Sequence, residues 1–583
     1  LIRSALLHRP ESEYAYLEDS THLVLRFRTA KNDISSVQAL AGDTYLIDTG
    51  WYDHPYEMKN YLSTKDFDYW HVVIELNNRR ASYAFIVTDN SGASLFFGDQ
   101  GIFDDSHEVR AHANNYFRLP YFHEIDMVRT PEWVKSTVWY QIFPERFANG
   151  DKENDPAGVL TWDSDVHPTR EDFYGGDLQG IIDHLDHLVD LGVNGLYLCP
   201  IFKAHSNHKY DTIDYLEIDP DFGDKETFRK LVQEAHKRGI KVMLDAVFNH
   251  MGDLSPQWQD VLDNGTNSRF ANWFHVNKFP ATYQETADFE QATDITYDTF
   301  AFTPHMPKLN TANPEVQKYL LHVATYWIDQ FDIDAWRLDV ANEVDHHFWR
   351  EFAAACRSRK DDFYILGEIW HSSQSWLNGD QFDAVMNYAY TDAILDYFVF
   401  KKTDFSTLQD QINSQLVLYR EPINEVQFNV LDSHDTPRLL TQANNNLALM
   451  QQTMAFTFIQ PGVPCIYYGD EYAMTGAMDP DNRKPMVWNE AEQNTEQYQF
   501  VKELVEFRKA HHQLLSSGSI SWSGDDQLLI FEREQNGVNI TGYFNTSGTA
   551  QRVPAGNVLL QGQTKTNGTE LEIAADGFVI LGD

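Results

Sequence analysis

The stretch Phe228-Arg229-Lys230-Leu231-Val232-Gln233-Glu234-Ala235-His236-Lys237-Arg238-Gly239-Ile240-Lys241-Val242-Met243-Leu244-Asp245-Ala246-Val247-Phe248-Asn249-His250 contains one complete helix-to-strand repeat. Phe228, Leu231, Val232 and Ala235 fall at helical spacing, which puts them on one face. Gly239 stands where a helix C-cap belongs, because glycine takes the left-handed conformation without a Cβ clash. Lys241 to Val247 then reads as a buried strand, and a polar cluster from Asp245 to His250 closes it.

Strand-like runs of the same kind recur at Val138–Phe143, Gly195–Ile201, Asp334–Val340, Tyr364–Ile369, Phe428–Leu431 and Pro464–Tyr468. They alternate with amphipathic helices, the pattern of βα units around a parallel sheet. The repeat count predicts an α/β fold, a (β/α)₈ TIM barrel over residues 128–512, with reactive groups at the C-terminal strand ends. Between His250 and about Pro304 the alternation lapses into a polar, aromatic-rich stretch too long for an ordinary loop, so an inserted subdomain is expected after strand 3, overhanging the barrel mouth. Residues 1–127 carry short alternating runs, such as His22–Arg28 and Ala84–Val87, and predict an N-terminal β-sandwich. Residues 513–583 return to short strands with Gly/Asn turns and predict a C-terminal β-sandwich.

Acidic residues outnumber basic ones 87 to 45, a formal charge of −42, which argues against nucleic acid or an anionic membrane as partner. Three cysteines, Cys199, Cys356 and Cys465, are too few for a disulfide framework. The first residues lack the apolar core and cleavage pattern of a signal peptide, and no run approaches a membrane span, so a cytoplasmic location is expected.

Asp339 ends the run from Asp334, and Glu368 ends the run from Tyr364. A glycosidase needs one acid to protonate the leaving oxygen and one nucleophile for the anomeric carbon, so two strand-end carboxylates suit that chemistry. Arg337, two residues before Asp339, shares its face of the strand and is expected to keep it ionised. Ile369 and Trp370 predict drier surroundings for Glu368 that favour its protonated form.

Four clusters follow strands in order: Asp245 to His250, Arg337-Leu338-Asp339, Glu368-Ile369-Trp370, and Leu431-Asp432-Ser433-His434-Asp435. In order and context these resemble the conserved regions of the α-amylase family of glycoside hydrolases (family 13). The resemblance implies Asp339 as nucleophile, Glu368 as general acid/base and Asp435 as the third carboxylate. It implies substrate-binding or supporting roles for Tyr210, Asp245, His250, Arg337, Trp370 and His434. Met306 to Asn310 and Val340 to Glu343 resemble markers of the cyclomaltodextrinase, neopullulanase and maltogenic amylase branch, and Asp479 and Arg483 resemble its distal sugar-binding residues. That branch implies a cyclic or linear α-glucan as substrate and a homodimer formed through the N-terminal domain, to which Trp51 would contribute an aromatic ring. Oxygen-rich spacing at Asn149, Asp151, Asn154 and Asp155, with Gly175 and Asp177 downstream, suits a hard cation, and by resemblance this is a structural calcium site. An α-glucosidase or glucanotransferase of the same superfamily is the alternative, and a non-catalytic glucan-binding protein a remoter one.

Overall fold

The computed structural model describes residues 1–583. Eight parallel strands form the central sheet: β1 Trp139–Ile142, β2 Gly195–Leu198, β3 Lys241–Ala246, β4 Ala335–Leu338, β5 Tyr364–Gly367, β6 Ala384–Val385, β7 Phe428–Asn429 and β8 Val463–Tyr467. They lie in the order β6-β5-β4-β3-β2-β1-β8-β7. A parallel bridge from Met386 to Phe428 joins the two ends, so the ring closes as the (β/α)₈ reading requires.

The repeat that opens the argument folds as its pattern dictates. The helix Lys225–Lys237 starts where the Asp224 carboxylate accepts from the Thr227 N–H, and buries Phe228, Leu231, Val232 and Ala235. Each of the larger three contributes about 1.5–3 kcal/mol by leaving water. Gly239 has φ +72°, which ends the helix and turns the chain into β3. β3 and β4 pair with Asp245 opposite Arg337, and β4 and β5 pair with Arg337 opposite Leu366. A one-residue slip would turn Arg337 out of the barrel, so this register is what builds the site. β5 must end in glycine: a Cβ on Gly367 would lie 2.6 Å from the Phe382 ring.

After β3 the chain leaves the barrel, forms the helix Pro256–Asn264 and a small antiparallel pair, Gln284–Glu285 with Ala292–Thr293, and returns through bridges from His250 to Lys308 and from Phe274 to Leu309. Two antiparallel sheets at the N-terminus enclose their own core, with Leu23, Phe27, Val37 and Phe85 fully buried. That domain docks on the barrel through buried Arg26, whose Nη1 donates to the Tyr419 carbonyl at 2.7 Å and whose Nη2 pairs with Glu421. Six C-terminal strands from Ser519 to Gly582 form one antiparallel sheet in which the long strand Glu570–Gly582 pairs with three others. Its inner face shares the barrel's outer core, where Phe456 meets Phe531 and Phe544. The three cysteines are free, and no helix is long and apolar enough to cross a membrane.

At the closed end of the barrel Asp334, 1% exposed, accepts from the Val242 N–H at 2.9 Å and pairs with His236 at 2.7 Å, Lys360 at 2.8 Å and Lys241 at 3.2 Å. Burial alone would raise its pKa, but His236 and Lys360 together hold it below the usual carboxylate range. A depressed carboxylate stabilises the fold above its unfolded pKa and loses that contribution as pH falls through the folded value. Asp334→Asn is therefore expected to destabilise the barrel by about 1.5–3 kcal/mol at pH 7, since the partly exposed His236, Lys360 and Lys241 lose the buried anion they share. Urea unfolding at pH 7 and again at pH 3 checks this: the gap between variant and parent should shrink in acid.

Candidate active site

At the C-terminal ends of the strands lies a cavity of about 740 Å³, lined by Asp339, Glu368, Asp435, Tyr210, His250, Trp370, Asp479 and Arg483, with Leu254, Phe289, Glu290 and Phe300 from the inserted segment. Its organising group is Arg337, fully buried on β4. Arg337 Nη1 donates to Asp245 Oδ1 and Oδ2 at 3.1 and 2.9 Å and to Asp339 Oδ1 at 2.8 Å. Nη2 lies 2.9 Å from Glu368 Oε2 as an ion pair off the N–H axis. One guanidinium thus touches three carboxylates.

Glu368 is further held by the Val340 N–H on Oε2 at 2.9 Å and by Trp370 Nε1–H on Oε1 at 3.1 Å. Glu368 is buried, 7% exposed, but its surroundings are hydrogen-bonding rather than purely apolar. Ile369 is buried, but Trp370 is 48% exposed, stacks on Tyr388 at 3.5 Å and offers its polar edge to the carboxylate. Asp339 also departs from expectation. Its contact with Arg337 is present, yet burial is the larger influence, and Glu368, Asp245 and Asp435 add to it, so its pKa is pushed well above the usual carboxylate range. Burial likewise raises Asp245 to about 6 against the pull of Arg337. A single cation cannot neutralise three buried acids, so the protons of this set are shared by the set.

Asp435 sits at the rim, 3.3 Å from His434 Nε2 and 3.5 Å from Arg483 Nη2. Arg483 also donates from Nε to the His434 carbonyl at 2.8 Å and pairs with Asp479 at 3.0 Å, so both distal residues border the same cavity. The Tyr210 hydroxyl donates to Asp245 Oδ2 at 3.0 Å and lies 2.6 Å from His434 Nε2. His250 Nε2 is 3.1 Å from the Tyr210 carbonyl, and burial lowers its pKa to about 3, so it is neutral in the working range. Burial also drives His434 well below its ordinary value.

Several contributors escaped the sequence reading. Tyr197 on β2 donates to Asp245 at 2.7 Å, Gln141 on β1 contacts His434 at 2.8 Å, and Asn482 Nδ2 donates to the carbonyls of Ser433, His434 and Thr436. Gln141, an amide within an apolar strand run, is a visible signal; Tyr197 is not, because a tyrosine in a strand reads as core.

The proposed cation ligands cluster beside the barrel. Asp177 accepts from the N–H groups of Gly150, Asp151 and Gly180 at 3.0, 2.8 and 2.6 Å, and Asn149 Nδ2 donates to Asp155 Oδ1 at 2.6 Å. Asp151 caps its own loop by accepting from the Glu153 N–H. Asn149 Oδ1 and Asn154 Oδ1 are buried with no partner. Gly175, φ +82°, lets the chain pass where a Cβ would sit 2.5 Å from Asn149 and Asp155. Two orphaned buried oxygens beside a carboxylate fit a hard cation. Trp51 packs within its own domain, its ring against Gly42 and 5.0 Å from Tyr116, with Nε1 donating to the Asp43 carbonyl.

Residues 141–518 match the family model of the α-amylase catalytic domain, and residues 1–123 match its N-terminal Ig-like domain. The chain belongs to the α-amylase family. Within this family it is 48% identical to an intracellular maltogenic amylase of Bacillus subtilis strain 168, over 94% of this chain and 92% of the relative. It is 42% identical to neopullulanase 2 of Thermoactinomyces vulgaris, over 95% and 92%. A solved cyclomaltodextrinase superposes over 100% of both chains with a TM-score of 0.91 and 41% identity.

The shared protons give this α-amylase family site a definite pH response. As pH falls through about 6, Asp245 takes up a proton, its hold on Arg337 weakens, and kcat/KM should decline on that acid limb. Replacing the cation, Arg337→Met, removes what favours ionisation, so the limb should move to higher pH. The same change should cost about 10²–10³ in kcat. Initial rates on maltooligosaccharides across pH 4–8 decide it.

Proposed function

We propose that this enzyme hydrolyses α-1,4-glucosidic bonds of cyclomaltodextrins and maltooligosaccharides, and of pullulan or starch, with retention of configuration and some transglycosylation. The observation that carries the reading is the single guanidinium holding Asp339 on Nη1 and Glu368 on Nη2. Two carboxyl groups held on the two terminal nitrogens of one arginine flank one point of the cavity, an arrangement compatible with the separation of about 5 Å that double displacement needs. Asp339 attacks the anomeric carbon. Glu368 protonates the departing oxygen, then takes the proton from the water or sugar hydroxyl that resolves the glycosyl ester. Asp435, with His434 beside it, binds hydroxyls of the sugar at the cleavage point, and Tyr210 and Trp370 supply ring faces and edges around it. Arg483 and Asp479 extend the polar wall for the next unit.

Asp339→Asn should abolish turnover, and Glu368→Gln should lower kcat by about 10²–10⁴ for poor leaving groups. Proton NMR of the first-formed hemiacetal should show the α-anomer. Immediate β-anomer, or unchanged hydrolysis by Asp339→Asn, would end this mechanism. Comparing cyclomaltodextrin, pullulan and starch by rate and product size separates the reading from an α-glucosidase or glucanotransferase: ring opening followed by release of maltose and glucose supports it.

A calcium ion is proposed at Asn149 Oδ1, Asn154 Oδ1 and Asp155, where it would supply charge that ties the loop to Asp177 and the barrel. It serves the fold alone. Chelator treatment should lower the melting temperature, restored by calcium in the parent and not in Asn149→Leu, while kcat/KM at 25 °C holds. A homodimer through the N-terminal domain and a cytoplasmic location belong to the same reading. Exposed Tyr45 and Leu46 on that domain, 79% and 51% exposed, support pairing, as does the name of the intracellular relative for location. A mass in solution of twice 67.4 kDa is the expected result.

A further inference from the structure

Behind the cavity, on β1, Gln141 is fully buried and does not line it, yet its Nε2 lies 2.8 Å from His434 Nδ1. We propose that Gln141 is a positioning residue: it fixes the tautomer of His434, and through it the direction of the hydrogen-bond chain that reaches the carboxylates. This rests on Asp339 and Asp435 acting as described above.

The direction follows from counting protons. His434 Nε2 faces two oxygens, the Tyr210 hydroxyl at 2.6 Å and Asp435 Oδ2 at 3.3 Å. Asp435 can only accept while ionised, so Nε2 must carry hydrogen; a bare Nε2 would set lone pair against lone pair. The Tyr210 hydroxyl has one proton, and it goes to Asp245. The hydroxyl must then receive from His434. The imidazole is neutral, since burial and the Arg483 and Arg337 charges outweigh Glu368, so with Nε2 protonated Nδ1 is bare. A bare, fully buried Nδ1 needs a donor, and the Gln141 amide N–H is the one there. The same Nε2 lies 3.4 Å from Cys199 Sγ as a second acceptor, which orients the amide, whereas Gln141 Oε1 has no partner. The chain therefore runs one way, from Gln141 through His434 and Tyr210 to Asp245, where it meets Arg337.

Reversed, His434 Nε2 would take the Tyr210 proton, leaving Asp245 with one donor fewer and Asp435 facing a lone pair. Gln141→Glu puts an acceptor where the donor was, so Nδ1 must take a proton while Tyr210 and Asp435 still require one on Nε2, and the ring becomes an imidazolium. Gln141→Leu removes the donor and keeps the volume.

The test reads nitrogen protonation and rate separately. In ¹⁵N-histidine-labelled enzyme, with the His434 signal identified by its loss in His434→Asn, Nδ1 should be unprotonated and Nε2 protonated from about pH 7 to 8, where Asp245 is ionised. Gln141→Glu should protonate both nitrogens and add an ionisation to the kcat–pH profile, and Gln141→Leu should lower kcat about tenfold with its profile unshifted. A protonated Nδ1 in the unaltered enzyme overturns the proposal, as do wild-type kcat and pH profile in both variants. If neither variant folds, the labelled parent alone decides. If Asp339→Asn remains active the nucleophile assignment falls, and the nitrogen signals still report on Gln141.

Discussion

The site depends on one constraint: a guanidinium with no access to water must satisfy three carboxylates. Arg337 reaches Asp245, Asp339 and Glu368 from the centre of the barrel mouth, and each contact comes from a different strand end. Its position is inherited from the pairing of β3, β4 and β5, so the chemistry inherits the tolerance of a hydrogen-bonded ladder rather than that of a loop. An arginine suits this place because its planar fork offers directed donors and keeps its charge when buried, which a lysine does not.

Around this centre the fold supplies walls of different kinds. The barrel contributes the acids and Tyr210; the inserted segment contributes Phe289, Phe300, Leu254 and Glu290 as a face over the sugar path. His305 stacks on Phe289 at 4.2 Å and pairs with Asp253 at 2.6 Å, so that face is braced rather than free. The third wall, Asp479 to Arg483, is tied to the loop of His434 and Asp435 by Asn482 and by Arg483 Nε. The two loops that meet the substrate on this side therefore behave as one unit.

What could be read from the chain, and what could not, has a physical basis. Strands buried on both faces declare themselves as apolar runs, and the acids that line the cavity stand out as charges beyond their ends, so most of the barrel and the candidates Asp339, Glu368 and Asp435 are legible. β6 is not: Ala384–Val385 is too short for any period, and it is held by Gln427, whose Oε1 accepts from the Val385 N–H at 2.8 Å. Ionisation was the other blind spot. A neighbour two residues away on one strand is visible in sequence, but Asp339 feels burial and three acids from other strands more strongly than Arg337, and no local pattern encodes that sum. Trp370 read as dryness because it is aromatic; its indole N–H, which only a structure can aim, makes it a donor instead.

In the proposed mechanism, the surplus of negative charge in the cluster is what the reaction uses. The substrate is neutral, so in the ground state the carboxyl groups of Asp245, Asp339, Glu368 and Asp435 outnumber the positive charge of Arg337, and burial penalises the ionised forms of Asp245 and Asp339. As the glycosidic bond breaks, positive charge grows on the sugar ring within reach of Asp339, and the same surplus becomes favourable. An interaction that is costly before the transition state and favourable at it lowers the barrier without tightening substrate binding. The raised proton affinity of Asp339 and Asp245 in the free enzyme is then the visible trace of that arrangement, because protons answer the excess charge until the oxocarbenium-like sugar does so. Arg337 sets how large the excess is: its one charge pulls Asp339 toward ionisation without outweighing burial and the neighbouring acids, and so leaves a field for the developing charge to meet.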